Sequence, residues 1–532
     1  MKPMAIALDG KFAMGESSPQ PAVVPIVWSV AGSDSGAGAG LAADLRAFDA
    51  FGVHGCTVVA AITAQNSLGV QRIEAVSAAT LEAQLSALAG DMPPAAIKTG
   101  MLGSAENLQT LVQHIDRLRQ QCSALPVVVD PVLRASTGAA LADEALLHGY
   151  RTTLLPRATL ITPNRSEAAA LLGWAPLRSR HEVEQGAKAL LALGCKAVVI
   201  TGGDEAGELS QDYAATPLAS GWLSLPRVAT QHHHGTGCVF ASSAAAAMAR
   251  SFVDIDTLIL AKMATTHALR RGYAAGQGAG PVHPGAGFAR ACENLPTMSM
   301  AGRDETVKFA RLSVTDLGLY AVVDSAEWVR RALDAGVRTV QLRIKDPEHP
   351  SLRNEVRISV AAARAANAQL FINDHWALAI EEGAYGVHLG QEDLESADLD
   401  ALASAGLRLG LSTHSYWEVC RAWLLQPSYI ACGPIHPTQA KRMPWIAQGN
   451  DNLAYWCALL PIPVVAIAGM NVHRATQAMA CGAAGVAVIS AITGAPSPET
   501  EIARLLQSVQ AGRVLPRQAA PDLPRTSLNP QC

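Results

Sequence analysis

At 532 residues the chain is too long for one ordinary domain, and nearly half of it is apolar, enough for more than one sizeable core. A net charge of −4 excludes the basic footprint of a nucleic-acid binder and any polybasic membrane patch. No apolar run reaches the roughly eighteen residues a bilayer-spanning helix needs, and the ten scattered cysteines form no C-x-x-C pair, so a reduced, cytoplasmic protein is expected.

Residues 1–24 lack a signal-peptide core and are read as a variable extension. Pro25 to Ala31 has the β-branched, apolar pattern of a buried strand. It runs into Gly32-Ser33-Asp34-Ser35-Gly36-Ala37-Gly38-Ala39-Gly40, then a helix from Leu41 to Phe51 that carries Asp44. The glycines miss the G-x-G-x-x-G spacing and no acidic ribose partner follows, which rules out a dinucleotide fingerprint. A second strand, Cys56 to Ile62, ends near Gln65, whose amide offers a donor and an acceptor together. Next come a helix (81–89), a strand (95–98), the loop Thr99-Gly100-Met101-Leu102-Gly103, a helix (105–119) and a strand (126–130). This alternation predicts an α/β domain with a mostly parallel sheet and helices on both faces, its ligands gathered outside the strand carboxyl ends. Asn164 and Glu167 share one face at a helix start, where a plain cap also accounts for them.

After a strand at 197–201 and Gly202-Gly203-Asp204 comes His232-His233-His234-Gly235-Thr236-Gly237-Cys238, followed by an Ala-rich segment. A glycine-bearing turn opening a helix presents free N–H groups to an anion, and Gly235 and Gly237 permit close approach. Cys238 falls in the first helical turn, where a thiol pKa is expected to drop. Three consecutive histidines cannot all face one ion, so His234 is read as shaping the mouth of this loop.

A helix at 257–273 fades into a stretch rich in Gly, Pro and Ser, and 286–313 reads as a linker. Short apolar runs then recur at 319–323, 339–342, 370–372, 386–389, 407–411, 429–431, 464–467 and 485–489, with helix-like segments between most of them. About eight strand–helix units in roughly 200 residues predict a compact (β/α)8 TIM barrel over 314–514. Polar residues lie just past the runs. Gln341, Arg343 and Lys345 alternate onto one side, and two cations in a barrel mouth need an anion. Asn373, Asp374, Gln391, Asp393, Ser412, Thr438, Lys441, Gly469, Ile489 and Ser490 follow at later strand ends. Asp374 and Asp393 suit magnesium, and Gly469 with the Ile489-Ser490 backbone suits a phosphate. Residues 515–532 are expected to be disordered.

Gly-Thr-Gly-Cys before an Ala-rich helix resembles the anion hole of ribokinase-like small-molecule kinases, in the branch that phosphorylates hydroxymethylpyrimidine or pyridoxal. With the Gly-rich loop, Asp44, Gln65 and the N-x-x-E pair in order, residues 25–285 resemble a hydroxymethylpyrimidine/phosphomethylpyrimidine kinase. Gln-Leu-Arg-Ile-Lys-Asp, Ile-Asn-Asp, His-Leu-Gly-Gln-Glu-Asp, Leu-Ser-Thr-His-Ser and Gly-Pro-Ile-His-Pro-Thr resemble thiamine-phosphate synthase over about 315–512. Ala37, Val239, His375, Ala440 and Ala468 depart from the family patterns.

The resemblance implies two phosphorylations of the pyrimidine with ATP as co-substrate. The diphosphate then condenses with hydroxyethylthiazole phosphate to give thiamine phosphate and pyrophosphate, with magnesium. It implies Cys238, Gly235, Gly237, Lys345 and Lys441 in catalysis. Asp44, Gln65 and Met101 would bind the kinase substrate, and Asn164, Glu167 and Thr236 the nucleotide and its magnesium. Gln341, Arg343, Lys345, Asn373, Ser412 and Lys441 would hold the pyrimidine diphosphate. Thr438, Gly469, Ile489 and Ser490 would hold the thiazole phosphate, and Asp374 and Asp393 the metal. The rival reading is a pyridoxal-type kinase fused to a non-catalytic or thiazole-tautomerase-like barrel. The expected partners are small molecules, with no nucleic acid and no membrane, and a homo-oligomer is compatible with the sequence.

Overall fold

A computed structural model describes residues 23–133, 141–203, 205–300, 303, 305–438 and 444–528. Ten strands form the first sheet: β1 (Ile26–Asp34), β2 (His54–Asn66), β3 (Gly69–Ala75), β4 (Ala96–Thr99), β5 (Val127–Val129), β6 (Leu160–Ile161), β7 (Ala197–Ile200), β8 (Leu209–Ala215), β9 (Ser220–Pro226) and β10 (Thr297–Met298). Their order is β10-β9-β8-β7-β6-β5-β4-β1-β2-β3. The run from β7 to β2 is parallel, as the alternation predicts. Antiparallel strands extend both edges: β3 beside β2, and β8, β9 and β10 beyond β7. Strand β3 escapes a periodicity reading for a physical reason. It is solvent-exposed over most of its length and has no apolar face to betray it.

Residues β10 lie inside the expected linker, yet they close the sheet edge against β9. The chain therefore completes its first domain only after residue 298.

Eight parallel strands close the barrel: β11 (Gly318–Val323), β12 (Thr339–Leu342), β13 (Gln369–Asn373), β14 (Gly386–Leu389), β15 (Arg408–Thr413), β16 (Tyr429–Cys432), β17 (Val464–Ile467) and β18 (Gly485–Val488). Tyr320, Val322, Phe371, Tyr429, Ala431, Val465 and Ala487 fill its interior, with Leu312 and Leu317 joining them. The tail departs from the expectation of disorder as far as residue 528. Asn452 exchanges side-chain hydrogen bonds with the Arg525 backbone at 2.9 Å, the Ser527 carbonyl accepts from Ile446, and Leu528 is buried. Specific backbone pairing with a folded barrel holds a segment whose composition alone could not fold.

The two domains meet along an apolar seam. Phe252 of the first packs on Tyr416 of the barrel, Tyr416 packs on Tyr455 and Trp456, and the Tyr455 hydroxyl donates to the Ala289 carbonyl at 2.5 Å. Asp256 is buried in this seam and accepts the Trp417 N–H at 3.0 Å. Burial, opposed by that N–H and reinforced by the Glu418 carboxylate, pushes Asp256 up to about 7. An unfolded Asp ionises near about 3.9, so between these values the folded chain holds the extra proton and stability declines as pH rises. Asp256→Asn should flatten that slope. Its melting temperature should exceed the parent's by a few degrees at pH 8 and much less at pH 5, which thermal melts at the two pH values check.

Candidate active sites

The helix Thr236–Ala249 begins at Gly235, and no side chain caps it. Gly235 adopts φ +86°, and a Cβ there would lie 2.1 Å from the Gly38 carbonyl oxygen. The turn before the helix is thus pressed against the Gly-rich loop after β1, backbone to backbone. Gly237 faces open space, with nothing within 4 Å of an added Cβ. The helix N-terminus therefore has an open approach beside two interlocked loops, the setting in which backbone N–H groups bind an anion.

Asp34, unassigned in the sequence reading, organises this corner. Its carboxylate accepts the N–H groups of Gly36, Gly38 and Ala39 at 2.7–2.9 Å and meets His234 Nε2 at 3.3 Å. Burial works against its charge, yet hydrogen bonds from His234, Gln65 and the loop N–H groups hold it down to about 2. Gln65 is further tied to the loop through Ser35, which donates to its carbonyl and accepts its N–H. Met101 is buried, its Cε against Gly32. His232 meets the Gly280 N–H while His233 is exposed, so the three histidines diverge.

Two expectations are corrected. Asp44 is completely buried and saturated: Lys98 Nζ donates to both oxygens at 3.0 Å, Ser29 at 2.5 Å and Ser242 at 2.6 Å. It is an internal counter-charge, out of a substrate's reach. Lys98, on β4, also faces Asp130 at 3.6 Å. A lone Lys in an otherwise apolar strand was the available signal for this buried group. The Cys238 thiol is not lowered. Burial pushes it up to about 12, although Lys98 and the Gly40 N–H act in the opposite direction, because Asp130 and Asp44 lie beside it. A helix N-terminus lowers a thiol only where burial and nearby carboxylates do not outweigh it.

Asn164 and Glu167 form a capping box, each side chain accepting the other's backbone N–H at 2.9 Å. Thr236 opens the anion-loop helix.

In the barrel, Gln341 is buried and donates to the Tyr320 hydroxyl at 3.2 Å. Arg343 is half-buried beyond β12, and Lys345 is exposed at the mouth. Asn373 ends β13 in a buried position, and Asp374 follows at φ +63°. For a side chain this left-handed conformation is strained, a feature that concentrates at functional sites. Asp374 and Asp393 are hydrogen-bonded to each other; burial and the Asp393 carboxylate push Asp374 up to about 6, with Arg343 opposing. Two carboxylates drawn this close share a proton unless a cation separates them, so the donor pair fits a hard divalent ion completed by waters and phosphate oxygens.

His388 opens the His-Leu-Gly-Gln-Glu-Asp stretch, where nothing in the pattern singles it out as a site residue. It meets the Tyr429 hydroxyl at 2.8 Å and Ser412 Oγ at 3.0 Å, and burial holds it down to about 4, hence neutral. Gln391 donates to the Ser412 carbonyl. Gly469 adopts φ +67° against His436 and Pro437, and its carbonyl accepts from Arg474 at 2.6 Å. Ala468 takes φ +78°, a conformation that favours glycine. Ile489 precedes the short helix Ser490–Thr493. Lys441 and Ala440 lie outside the described residues.

The family model Phosphomethylpyrimidine kinase matches residues 34–283, and Thiamine monophosphate synthase matches 313–492. The chain is similar to the probable thiamine biosynthetic bifunctional enzyme, chloroplastic, of Oryza sativa subsp. japonica: 33% identical over 495 residues, 90% of this chain and 87% of that protein. It is similar also to the thiamine-phosphate synthase of Serratia proteamaculans, 51% identical over 195 residues, 36% of this chain and 92% of that protein. A solved ADP complex of Bacillus subtilis pyridoxal kinase is 30% identical, covers 49% of this chain and 98% of that one, and has a TM-score of 0.45. Among the described residues no helix is long and apolar enough to cross a membrane.

Proposed function

This chain belongs to the bifunctional thiamine-biosynthetic enzymes that join a phosphomethylpyrimidine kinase to a thiamine-phosphate synthase, and from that premise we propose how its residues divide the work, with ATP as phosphoryl donor and the cytoplasm as its compartment. In the kinase, the N–H groups at Gly235–Cys238 receive the transferring phosphoryl group. Gln65 and Met101 face the pyrimidine, and Asn164, Glu167 and Thr236 attend the nucleotide. Catalysis is positioning plus stabilisation of charge that develops on the phosphoryl oxygens. Cys238, held as a thiol in the free protein, donates a hydrogen bond there and is not a standing base. The observation that carries this reading is the uncapped helix start with open space over Gly237, beside two interlocked glycine loops.

In the barrel, Arg343, Lys345 and Lys441 bind the diphosphate, with Gln341, Asn373 and Ser412 on the pyrimidine side. The bond between methylene carbon and diphosphate oxygen breaks, and pyrophosphate leaves with the electron pair. The thiazole nitrogen then donates its lone pair to the methylene carbon. Magnesium, when held by Asp374 and Asp393, would add positive charge beside the diphosphate oxygens. Thr438, Gly469, Ile489 and Ser490 grip the thiazole phosphate.

The test supplies ATP, magnesium, hydroxymethylpyrimidine and hydroxyethylthiazole phosphate and looks for thiamine phosphate. Cys238→Ala should lower both phosphorylations about a hundredfold, the scale of a lost hydrogen-bond donor at developing charge, and leave synthesis from preformed pyrimidine diphosphate unchanged. Parental turnover of the monophosphate by this variant would remove Cys238 from the mechanism.

A further inference from the structure

The barrel helix Tyr416–Leu424 starts without a cap of its own. Ser415, at its N-cap position, makes no capping hydrogen bond, and its Oγ is buried without a hydrogen-bond partner. The first-turn N–H groups are satisfied instead from the other domain. Asp256 Oδ1 accepts the Trp417 N–H at 3.0 Å, and the Tyr416 N–H also donates to this carboxylate. Asp256 sits in the first turn of its own helix, Asp254–Arg270. Two helix N-termini, one from each domain, thus converge on a single buried carboxylate, each with its dipole's positive end toward it.

The same turn of the barrel helix reaches the synthase site. Glu418, buried, accepts both the His414 N–H at 2.6 Å and His414 Nδ1 at 2.7 Å. The His414 ring stacks on Trp445, with centroids 5.0 Å apart and planes 6° from parallel. Its carbonyl accepts from Gln448, which also donates to the Gly433 carbonyl. His414 stands two residues after Ser412, whose hydroxyl meets His388. From Asp256 to Ser412 the contacts are continuous: carboxylate, helix start, Glu418, His414, strand end.

We infer that Asp256, a residue of the kinase domain, is a positioning residue of the synthase: it caps the barrel helix Tyr416–Leu424 across the domain seam and so fixes the strand end that carries Ser412. The inference rests on the assignment of Ser412 to the pyrimidine side of the synthase site. Asp256 has no comparable path to the kinase centre. Between it and the anion loop lies the length of the helix Thr236–Ala249, about 20 Å at 1.5 Å per residue.

The experiment uses the full chain and assays both activities on each preparation. Asp256→Ala removes both accepting oxygens. It should lower synthase kcat/KM for the pyrimidine diphosphate about tenfold, mostly through KM, with kinase kcat and KM unchanged. Asp256→Asn keeps one accepting oxygen and should restore synthase kinetics to within about threefold of the parent, on the scale of replacing one capping group by another. A parental synthase KM in Asp256→Ala would overturn the inference. So would a fall in both activities together with lost thermal stability, since that is what a merely structural seam residue would give. Ser412→Ala is assayed alongside. A parental Ser412→Ala would sink the site assignment itself, whereas a slow Ser412→Ala beside a normal Asp256→Ala would sink only the positioning role.

Discussion

Asp393→Asn should slow thiamine phosphate formation about a hundredfold or more while the protein melts no lower than its parent. The loss follows from removing a full negative charge from the pair proposed to hold magnesium, because stabilisation of developing charge is commonly worth that much in rate. The preserved stability follows from the free geometry. Asp374 and Asp393 are hydrogen-bonded to each other, and burial together with the Asp393 carboxylate lifts Asp374 to about 6. An Asn amide can donate to Asp374 without a shared proton, and Gly390 N–H, which now donates to Asp393 Oδ2 at 2.9 Å, can still find the amide oxygen. Raised magnesium should restore part of the rate. Lys345→Ala should also be slow, but without that relief, because the ammonium is assigned to phosphate. Steady-state assays across a magnesium series, with melts on the same samples, decide it. Normal turnover of Asp393→Asn at low magnesium would break the metal assignment.

Gly235→Ala should abolish both phosphorylations, a fall of roughly a thousandfold or more, and leave the barrel's reaction on preformed diphosphate intact. An added Cβ would lie 2.1 Å from the Gly38 carbonyl oxygen, and φ +86° is itself strained for a side chain. Either the anion turn or the Gly-rich loop must move. Positioning of the transferred group is most of this catalysis, and displacement by even 1 Å is costly. Gly237→Ala is the informative control. Its methyl meets nothing in the free protein, so that variant should fold normally and fail by obstructing the phosphate, seen as a raised KM for ATP with an unchanged melting temperature. If Gly235→Ala phosphorylated at the parental rate, the anion-hole reading would not survive.

The barrel was legible almost strand by strand. Thr339–Leu342, Gly386–Leu389 and Val464–Ile467 stand in the structure with the bounds that the apolar runs suggest, because a strand buried on both faces is mostly apolar, with buried Gln341 and His388 as exceptions that serve the site. Strand β3, at one antiparallel edge of the kinase sheet, was illegible for the converse reason, since it faces water and carries no such constraint. Site residues divide similarly. Asp374 and Asp393 could be paired from their places at successive strand ends. Asp44 was misplaced because a carboxylate near a ligand loop looks like a ligand until its cation is known. That cation, Lys98, lies 54 residues away. The raised Cys238 thiol has a similar origin, in burial and in the carboxylates of Asp130 and Asp44, which only the fold brings beside it.

The seam has a consequence for how the intermediate travels. The anion loop is at the start of the helix Thr236–Ala249, and the residues that meet the barrel, Phe252 and Asp256, follow its far end. Phe252, Tyr416, Tyr455 and Trp456 fill the join, each less than 5% exposed. Among the described residues this packed apolar join offers a charged diphosphate no direct passage. A molecule made at the kinase is then expected to leave into bulk water on its way to the barrel mouth, open to dilution and to any phosphatase. The advantage of joining the two enzymes then lies in equal dosage and shared folding, and labelled diphosphate formed in situ should be chased freely by unlabelled diphosphate added outside.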